Sequence, residues 1–217
     1  MKTTVMIVED HPLFSKGLAQ LINAQESYKV IGEAGTTAEA LSLLDEKKPN
    51  LAIVDLNLGD DDGLELIKTM KNNAPELIIL VLSMHDERYY AERALRAGAK
   101  GYIMKEEAGN KVIDAINTVM SGKIWLSEME RERILDYSTG HSSFSGGNDW
   151  FASIKKLSDR QLQIFTLIGK GLGTIEIATK LKLSPKTIDS HKEHIKLKLH
   201  CSSSQELRQL AIEWLNH

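Results

Sequence analysis

The chain has 217 residues, of which 42% are hydrophobic and 26% charged, and its formal net charge at pH 7 is −3. Its longest apolar runs, such as LIILVL at Leu77–Leu82, are too short to cross a bilayer, and the acids Glu9 and Asp10 interrupt the apolar start of the chain, which excludes a secretory signal. The single cysteine, Cys201, excludes an intrachain disulfide, so we expect a reducing, cytoplasmic setting.

Short apolar runs alternate with amphipathic stretches in the first part of the chain. The runs expected to form strands are Thr4–Val8, Lys29–Glu33, Leu51–Val54, Leu77–Leu82 and Lys100–Met104. The stretches expected to form helices lie near Pro12–Gln25, Thr36–Glu46, Gly63–Asn73, Asp86–Ala97 and Gly109–Ser121. Such strands, separated by helices, are typical of a parallel sheet covered on both faces. We predict an α/β domain over residues 1–121, a doubly wound, five-stranded parallel sheet of the flavodoxin-like type with strand order 2-1-3-4-5.

The remainder of the chain is different in composition and in periodicity. A polar helix is predicted over Ser127–Tyr137, and the Ser- and Gly-rich stretch STGHSSFSGGND that follows it predicts a flexible segment, so residues 122–155 are interpreted as a linker. Every apolar pattern in residues 156–217 is helical, which predicts a second, all-α domain. Residues 1–121 carry 13 Lys and Arg against 19 Asp and Glu, whereas residues 150–217 carry 11 against 6. The two domains are therefore expected to have different partners, and the basic one could meet a phosphate backbone.

Polar side chains stand at the ends of four predicted strands. Glu9 and Asp10 follow the first strand, and Asp55 follows the third. In the predicted strand order these two strands are neighbours, so three carboxylates converge and need a cation, for which their hard oxygen ligands favour Mg²⁺. Ser83 and Lys105 end the fourth and fifth strands, and a hydroxyl and an ammonium beside a metal-bound carboxylate form a site for a phosphoryl group.

Each of these residues also has a simpler interpretation when it is taken alone. Glu9 and Asp10 could cap the first helix, since Pro12 suits an early helical position. Asp55 could be a turn residue, and Ser83 could be the N-cap of the next helix. The five residues together, each at a strand end, are hard to explain as chance.

The first domain resembles the receiver domain of two-component response regulators. The stretches VEDHPLF, VDLNLGDDDG, LSMHDE and GYIMKE carry the resemblance, which covers residues 1–121. It implies that Asp55 accepts phosphate from a sensor histidine kinase and that Mg²⁺ is held by Glu9, Asp10, Asp55 and the backbone carbonyl of Asn57. It also implies that Ser83 and Lys105 contact the phosphoryl group and that Tyr102 changes rotamer on activation. The chain departs from the family at two places: Leu58-Gly59 stands where the family often has Met-Pro, and Glu106 stands after the lysine where the family often has Pro or Asp.

The second domain shows a helix-turn-helix pattern. Ser158 and Gln161 predict a capping box at the start of a first helix within Leu157–Gly171, and further helices are predicted over Thr174–Leu183, Lys186–Leu199 and Ser204–Asn216. Ser184-Pro185 is expected to end the second helix and to start the third, since proline suits a first turn. In the third helix, Ile188, Ile195 and Leu199 are expected to pack inward, and Lys186, Asp189, Ser190, Glu193 and Lys196 to face outward. The final helix is expected to bury Leu207, Leu210, Ala211 and Trp214.

This pattern is similar to the four-helix DNA-binding domain of the LuxR/NarL class, through EIATKL, LSPKTIDSH and IKLKL. The resemblance implies that the residues on or beside the reading helix are Lys186, Thr187, Asp189, Ser190, Lys192 and Glu193. Thr174-Ile175 replaces the Asn-Lys pair that is frequent before EIA. Acids facing DNA need a reason: Asp189 and Glu193 either pair with Lys192 or Lys196 on the helix surface, or at least one accepts a hydrogen bond from cytosine N4.

Together the two resemblances imply a cytoplasmic response regulator of the LuxR/NarL (FixJ) class, a phosphorylation-gated DNA-binding transcription factor and not an enzyme. Its expected partners are a sensor histidine kinase, double-stranded promoter DNA, a second copy of the chain when phosphorylated, and RNA polymerase, with no membrane. Two rival functions remain. A Mg²⁺-dependent phosphohydrolase would use the same aspartate and carboxylates, and a protein-interaction module would dock its helical domain on polymerase or another partner.

Overall fold

The computed structural model describes residues 2–59, 61–138, 153–154 and 156–215, which fall into two units, residues 1–142 and residues 143–217. Residues 139–149 of the predicted flexible stretch lie outside the described residues. No helix within the described ranges has the length and the apolar character that crossing a bilayer requires.

The first unit contains the five strands and five helices that the sequence predicts. The strands are β1 Thr3–Val8, β2 Tyr28–Ala34, β3 Leu51–Val54, β4 Ile78–Ser83 and β5 Gly101–Met104. The helices between and after them are α1 Pro12–Asn23, α2 Thr37–Lys47, α3 Gly63–Asn73, α4 Glu87–Ala97 and α5 Ala108–Met120. A 3₁₀ turn over Lys105–Glu107 connects β5 to α5.

The sheet is parallel throughout and has the order β2-β1-β3-β4-β5, which confirms the predicted topology. All four residues of β3 are buried, because this central strand is covered by helices on both faces. On one face, Leu18 and Ile22 of α1 pack with Ile116 and Val119 of α5 over the apolar side chains of the strands. The layered core holds the carboxyl ends of β1, β3, β4 and β5 along one edge of the sheet.

Two features of this unit are absent from the sequence prediction. Asn57–Leu58 and Asp61–Asp62 pair as a two-residue antiparallel hairpin in the loop that follows Asp55. Beyond α5 the chain returns to the sheet, where Trp125 exchanges backbone hydrogen bonds with Lys100 and Tyr102 at 3.1 and 3.0 Å.

Helix α6, Glu128–Ser138, falls in the segment interpreted as a linker and packs against α4 within the first unit. The Ser127 hydroxyl accepts a hydrogen bond from the backbone N–H of Glu130 at 3.2 Å, and the backbone N–H of Ser127 donates to Glu87 of α4 at 2.9 Å. The start of α6 is therefore attached to the start of α4.

The second unit is all-α in its described part. Its helices are α7 Asp159–Gly169, α8 Thr174–Lys180, α9 Pro185–Leu199 and α10 Ser204–Leu215. The predicted capping box of α7 is formed, because Ser158 accepts from the N–H of Gln161 and the Gln161 side chain accepts from the N–H of Ser158. Ser184 caps α9 and Pro185 occupies its first turn, also as predicted.

The core of this unit forms where α7 and α10 meet. The rings of Phe165 and Trp214 lie 5.3 Å apart between their centroids, and both side chains are fully buried. A Cβ atom at Gly169 would stand 2.5 Å from the carbonyl oxygen of Ala211, so only glycine allows the two helices this approach. Ile188, Ile195 and Leu199 of α9 are buried, as predicted.

Two predicted placements in this unit need correction. The Lys196 side chain, expected to face outward, is only 17% exposed, and its ammonium pairs with Glu193 along the helix at 2.8 Å. Leu210 of α10 is half-buried, whereas Leu207, Ala211 and Trp214 are buried as expected.

Candidate functional site: a carboxylate cluster and a helix-turn-helix

The parallel register brings the predicted polar residues to one edge of the sheet. Val8 of β1 lies opposite Val54 of β3, and Val54 lies opposite Val81 of β4, so these strands end side by side. Ser83, the last residue of β4, pairs in register with Met104, the last residue of β5. Glu9, Asp10, Asp55 and Lys105 each follow directly from one of these strands.

An ammonium group joins the two most buried acids. Lys105 Nζ lies 2.8 Å from Asp55 Oδ2 and 2.5 Å from Glu9 Oε2, and all three side chains are less than a tenth exposed. The same Nζ stands 4.8 Å from the centre of the Phe14 ring, a cation–π distance. Charges this deeply buried are tolerated only because they neutralise one another.

Burial raises the pKa of Asp55 to about 6, despite the opposing effect of Lys105. Glu9 raises the pKa further, whereas a hydrogen bond from the backbone N–H of Asn57 lowers it. For Lys105, burial lowers the pKa, but the carboxylates of Asp55 and Glu9 outweigh this effect and the pKa is raised. The cluster is therefore a charged carboxylate and ammonium in a poorly hydrated pocket, the environment in which a further cation or an anion is bound strongly.

Asp10 and His11 continue the cluster toward solvent. Glu9 Oε1 accepts from the backbone N–H of His11 at 3.1 Å and lies 3.0 Å from its Nδ1, while Asp10 Oδ1 lies 2.8 Å from the same Nδ1 without the geometry of a hydrogen bond. Among the described residues, Glu9, Asp10 and His11 are the group whose ligand atoms lie close enough together to hold one ion. His11 is also the N-cap of α1, so the interpretation of Glu9-Asp10 as the cap is wrong.

Two carboxylate oxygens of the cluster are buried without a hydrogen-bond partner. They are Asp10 Oδ1 and Asp55 Oδ1. Unsatisfied buried oxygens are costly, and hard anionic oxygens are the ligands that Mg²⁺ prefers. The donor set therefore fits a magnesium ion.

The loop after Asp55 is shaped by two glycines. Gly59 adopts a φ of 63°, in the left-handed region, at the turn of the short hairpin. A proline there, with its φ fixed near −65°, could not adopt this conformation. At Gly63 an added Cβ would stand 2.5 Å from Leu56 Cα and 2.8 Å from the carbonyl oxygen of Asp55, so the start of α3 lies against the backbone that carries the acid.

Ser83 and Tyr102 meet at the loop between β4 and α4. The Ser83 hydroxyl is fully buried and accepts from the backbone N–H of His85 at 3.2 Å. The buried Tyr102 hydroxyl donates to the carbonyl oxygen of His85 at 2.7 Å, and burial raises the pKa of Tyr102 well above its usual value. The N-cap of α4 is Asp86, whose side chain accepts from the N–H of Arg88, so the interpretation of Ser83 as a helix cap is wrong.

The second unit presents a helix-turn-helix, in which α8 and α9 are joined by four residues and pack on α7 and α10. On α9, Lys186, Asp189, Ser190 and Glu193 are exposed, whereas Thr187 and Lys192 are half-buried. Glu193 pairs with Lys196 at 2.8 Å along the helix, whereas Asp189 and Lys192 both contact the hydroxyl of Thr174 on α8. The six residues expected on or beside the reading helix thus lie on one helix, but some of their charged groups already contact other side chains of the protein.

Three residues of these two sites were not predicted from the sequence as site residues. His11 follows the acids directly and could have been found as a potential ligand, whereas the contact between Phe14 and Lys105 depends on side-chain packing that no local pattern shows. Thr174 was noticed only for the contact that its substitution loses, because its two partners lie 15 and 18 residues away along the chain.

Comparison with known proteins agrees with this geometry. The chain matches the model of the response regulator receiver domain over residues 5–117 and that of the bacterial regulatory proteins of the luxR family over residues 155–211. It is 34% identical to oxygen regulatory protein NreC of Staphylococcus haemolyticus over 212 residues, which is 96% of each chain. It is 32% identical to the NreC of a Staphylococcus epidermidis strain over 96% of each chain.

Solved structures show the same similarity. A LuxR-family response regulator from Aurantimonas sp. matches with a TM-score of 0.59 and 28% identity, over 64% of this chain and 99% of that one. RcsB of Salmonella enterica serovar Typhimurium, bound to a promoter in the presence of phosphomimetic BeF3−, matches with a TM-score of 0.58 and 27% identity, over 96% and 97% of the two chains. The chain therefore belongs to the LuxR family of two-component response regulators, transcription regulators in which phosphorylation of a receiver domain regulates a DNA-binding domain.

Proposed function

We propose that Asp55 is the phosphoacceptor of this receiver. The observation that carries the proposal is its carboxylate, which is almost fully buried at the end of β3, is held by Lys105 at 2.8 Å and has one oxygen without a hydrogen-bond partner. In the transfer, a carboxylate oxygen of Asp55 forms a bond to phosphorus as the bond from phosphorus to the donor nitrogen of a sensor histidine kinase breaks. The product is an acyl phosphate, whose oxygens carry the new negative charge beside the Lys105 ammonium.

Mg²⁺ would be held by Asp10, Asp55 and the backbone carbonyl of Asn57, with Glu9 adding negative charge to the site. Both oxygens of Glu9 already have partners, in Lys105 and His11, whereas Asp10 and Asp55 each have a buried oxygen without a hydrogen-bond partner. The ion would offset the negative charge that develops on the phosphoryl group.

Ser83, Tyr102 and Lys105 are proposed to respond to the phosphoryl group. A new anion at Asp55 attracts the Lys105 ammonium and the Ser83 hydroxyl. When Ser83 turns toward the anion, it gives up the hydrogen bond from His85, the residue whose carbonyl oxygen also accepts from Tyr102. The loop that begins α4 thereby loses this contact, and the rotamer change proposed for Tyr102 would remove the second, so that a local charge change shifts a two-state element.

Helix α9 is proposed to read promoter DNA from the major groove. The residues proposed for contact with DNA are Lys186, Thr187, Asp189, Ser190, Lys192 and Glu193. A second copy of the chain would supply the second reading helix for a half-site one helical turn away, so the proposal includes dimerisation on phosphorylation. In an activator, RNA polymerase would be a further partner.

The assignment of Asp55 is tested by labelling with acetyl phosphate in the presence of Mg²⁺. Asp55→Asn should abolish the acid-labile label, because the amide keeps the shape of the side chain but not its nucleophilicity, whereas Asp45→Asn, at an exposed position on α2, should label as the wild type does. Full labelling of Asp55→Asn would contradict the assignment. Rapid, repeated release of phosphate from small phosphate esters would favour the phosphohydrolase, and lack of salt-sensitive duplex binding would favour the protein-interaction module.

A further inference from the structure

The hydroxyl of Thr174 connects two charged side chains of the proposed reading helix. Thr174 is the first residue of α8, and its Oγ1 lies 3.2 Å from Asp189 Oδ1 and 2.6 Å from Lys192 Nζ. An ammonium can only donate a hydrogen bond and a carboxylate can only accept one. The hydroxyl must therefore accept from Lys192 and donate to Asp189, which fixes the orientation of its proton.

This contact changes the electrostatics of the acid. Lys192 is half-buried, and burial lowers its pKa although the nearby Asp189 raises it. Its ammonium contacts Thr174 of α8 from α9, so it lies where the two helices meet. The positive charge offsets part of the negative charge on Asp189. The carboxylate can then approach DNA with less repulsion from phosphates than an isolated acid would meet.

The two acids of α9 differ in whether their carboxylates are already paired with a cation. The Glu193 carboxylate is paired directly with Lys196 at 2.8 Å, as the surface-pair interpretation expects for one of them. Asp189 makes no direct ion pair among the described residues. Asp189 Oδ1 accepts a hydrogen bond from Thr174, and its second carboxylate oxygen has no hydrogen-bond partner among the described residues.

We propose that Thr174 is a positioning residue that holds Asp189 as a hydrogen-bond acceptor for an exocyclic amino group of a base in the major groove, in first place cytosine N4. The proposal rests on the proposed function, in which α9 reads DNA. Thr174 itself need not touch DNA, because it acts through the side chain it holds. A carboxylate that is already held in one rotamer loses less side-chain entropy on binding than a freely rotating one. It therefore binds more strongly to a base that offers a donor in the matching position.

The wild-type chain, phosphorylated with acetyl phosphate, is first used to select a duplex that it binds from a random pool. The test then measures the base preference of each variant on this duplex. Each base pair of this duplex is then substituted and the affinity measured for the wild type, Asp189→Ala, Thr174→Val and Thr174→Ser. Thr174→Val removes the hydroxyl with little change of shape, and Thr174→Ser keeps it. Thr179→Val is the matched control, because among the described residues the hydroxyl of Thr179 donates only to the backbone carbonyl of Ile175 in its own helix.

Asp189→Ala and Thr174→Val should both lose discrimination at the same base pair, by about 5- to 100-fold, while Thr174→Ser and Thr179→Val keep it. The double variant Thr174→Val/Asp189→Ala should lose no more than Asp189→Ala alone, because both changes remove one contact. If Thr174→Val unfolds the domain, Thr174→Ala, which suits a helix better, takes its place.

Three outcomes would overturn the proposal. Thr174→Val could keep the wild-type preference at every base pair, the two single losses could add in the double variant, or Thr174→Val could weaken all sequences equally, which would mark a phosphate contact. Loss of preference at an adenine instead of a cytosine would support the positioning role and change only the base. Failure of the wild type to bind any duplex would instead refute the proposed function.

Discussion

Arg133 neutralises a carboxylate that α6 buries against α4. The Glu130 side chain is only 2% exposed, and Arg133 Nη2 and Nε donate to its two oxygens at 2.6 and 2.8 Å. Arg133 Nη2 also donates to the backbone carbonyl of Arg88 on α4 at 2.8 Å. Arg133→Ala would therefore leave a buried carboxylate without a cation and would remove a link between the two helices.

The size of the effect follows from the burial of each partner. Breaking a fully buried ion pair by removing one partner costs about 3–5 kcal/mol. The Arg133 side chain is 48% exposed, so water already screens part of the interaction. We expect Arg133→Ala to lower the free energy of unfolding of the receiver by about 2–3 kcal/mol. With a urea slope of about 2 kcal/mol per molar, the unfolding midpoint would fall by roughly 1–1.5 M.

The loss should depend on pH in a defined direction. Burial raises the pKa of Glu130, Arg133 lowers it, and the neighbouring acids Glu87 and Glu92 raise it. Without Arg133 the pKa rises further above its value in the unfolded chain, so the folded variant binds a proton that the unfolded chain has released. The free energy of unfolding of the variant therefore falls as the pH rises from the pKa of Glu130 in the unfolded chain to its higher pKa in the folded variant. The loss in free energy of unfolding caused by Arg133→Ala should therefore be larger at pH 7.5 than at pH 5.

The assay is urea unfolding of the full chain at both pH values, with the receiver transition identified by the hydrogen exchange of the β1–β5 amides. The double variant Arg133→Ala/Glu130→Gln should recover much of the stability and lose the added pH dependence, because it leaves no buried charge. Arg131→Ala is the matched control on the same helix, since within the described ranges the Arg131 side chain donates only to the backbone carbonyl of Leu126. A deficit that is equal at both pH values and unaffected by Glu130→Gln would refute the reasoning.

Three further predictions concern the site, the architecture and assembly. Gly63→Ala should destabilise the receiver by about 1–3 kcal/mol and slow phosphorylation, because its Cβ would collide with the backbone of Leu56; wild-type unfolding and labelling would contradict the close approach. Limited proteolysis should cut between Ser138 and Trp150 and yield a C-terminal fragment that binds DNA alone, and cleavage mainly inside either half would contradict the boundary. Light scattering should show a larger mass with the phosphoryl analogue beryllium fluoride than without it, and equal masses at every concentration would contradict phosphorylation-driven pairing.

The features that the sequence predicted well depend on periodicity and chain order. Parallel strands with buried faces leave their carboxyl ends along one edge, so the meeting of Glu9, Asp55 and Lys105 could be predicted without coordinates. The helix starts at Ser158 and Ser184 were equally predictable, because a cap is a local signal that a few adjacent residues carry.

The features that were missed depend on contacts between distant residues or on very short elements. The hairpin after Asp55 has only two residues in each strand, too few for any periodic pattern. The exposure of Lys196 was predicted wrongly because helical spacing gives the direction of a side chain but not how far its neighbours cover it. The bridge made by Thr174 and the attachment of α6 to α4 both join segments that the sequence presents as separate.

The central claim is that the phosphorylation of Asp55 regulates DNA binding by the second unit. The direct measurement is the affinity of the full chain for its selected duplex, by fluorescence anisotropy, with and without acetyl phosphate and Mg²⁺. Acetyl phosphate should change the affinity of the wild type and of Asp45→Asn and leave that of Asp55→Asn unchanged. An equal response in Asp55→Asn, or no response in the wild type under conditions in which Asp55 is fully labelled, would contradict the account.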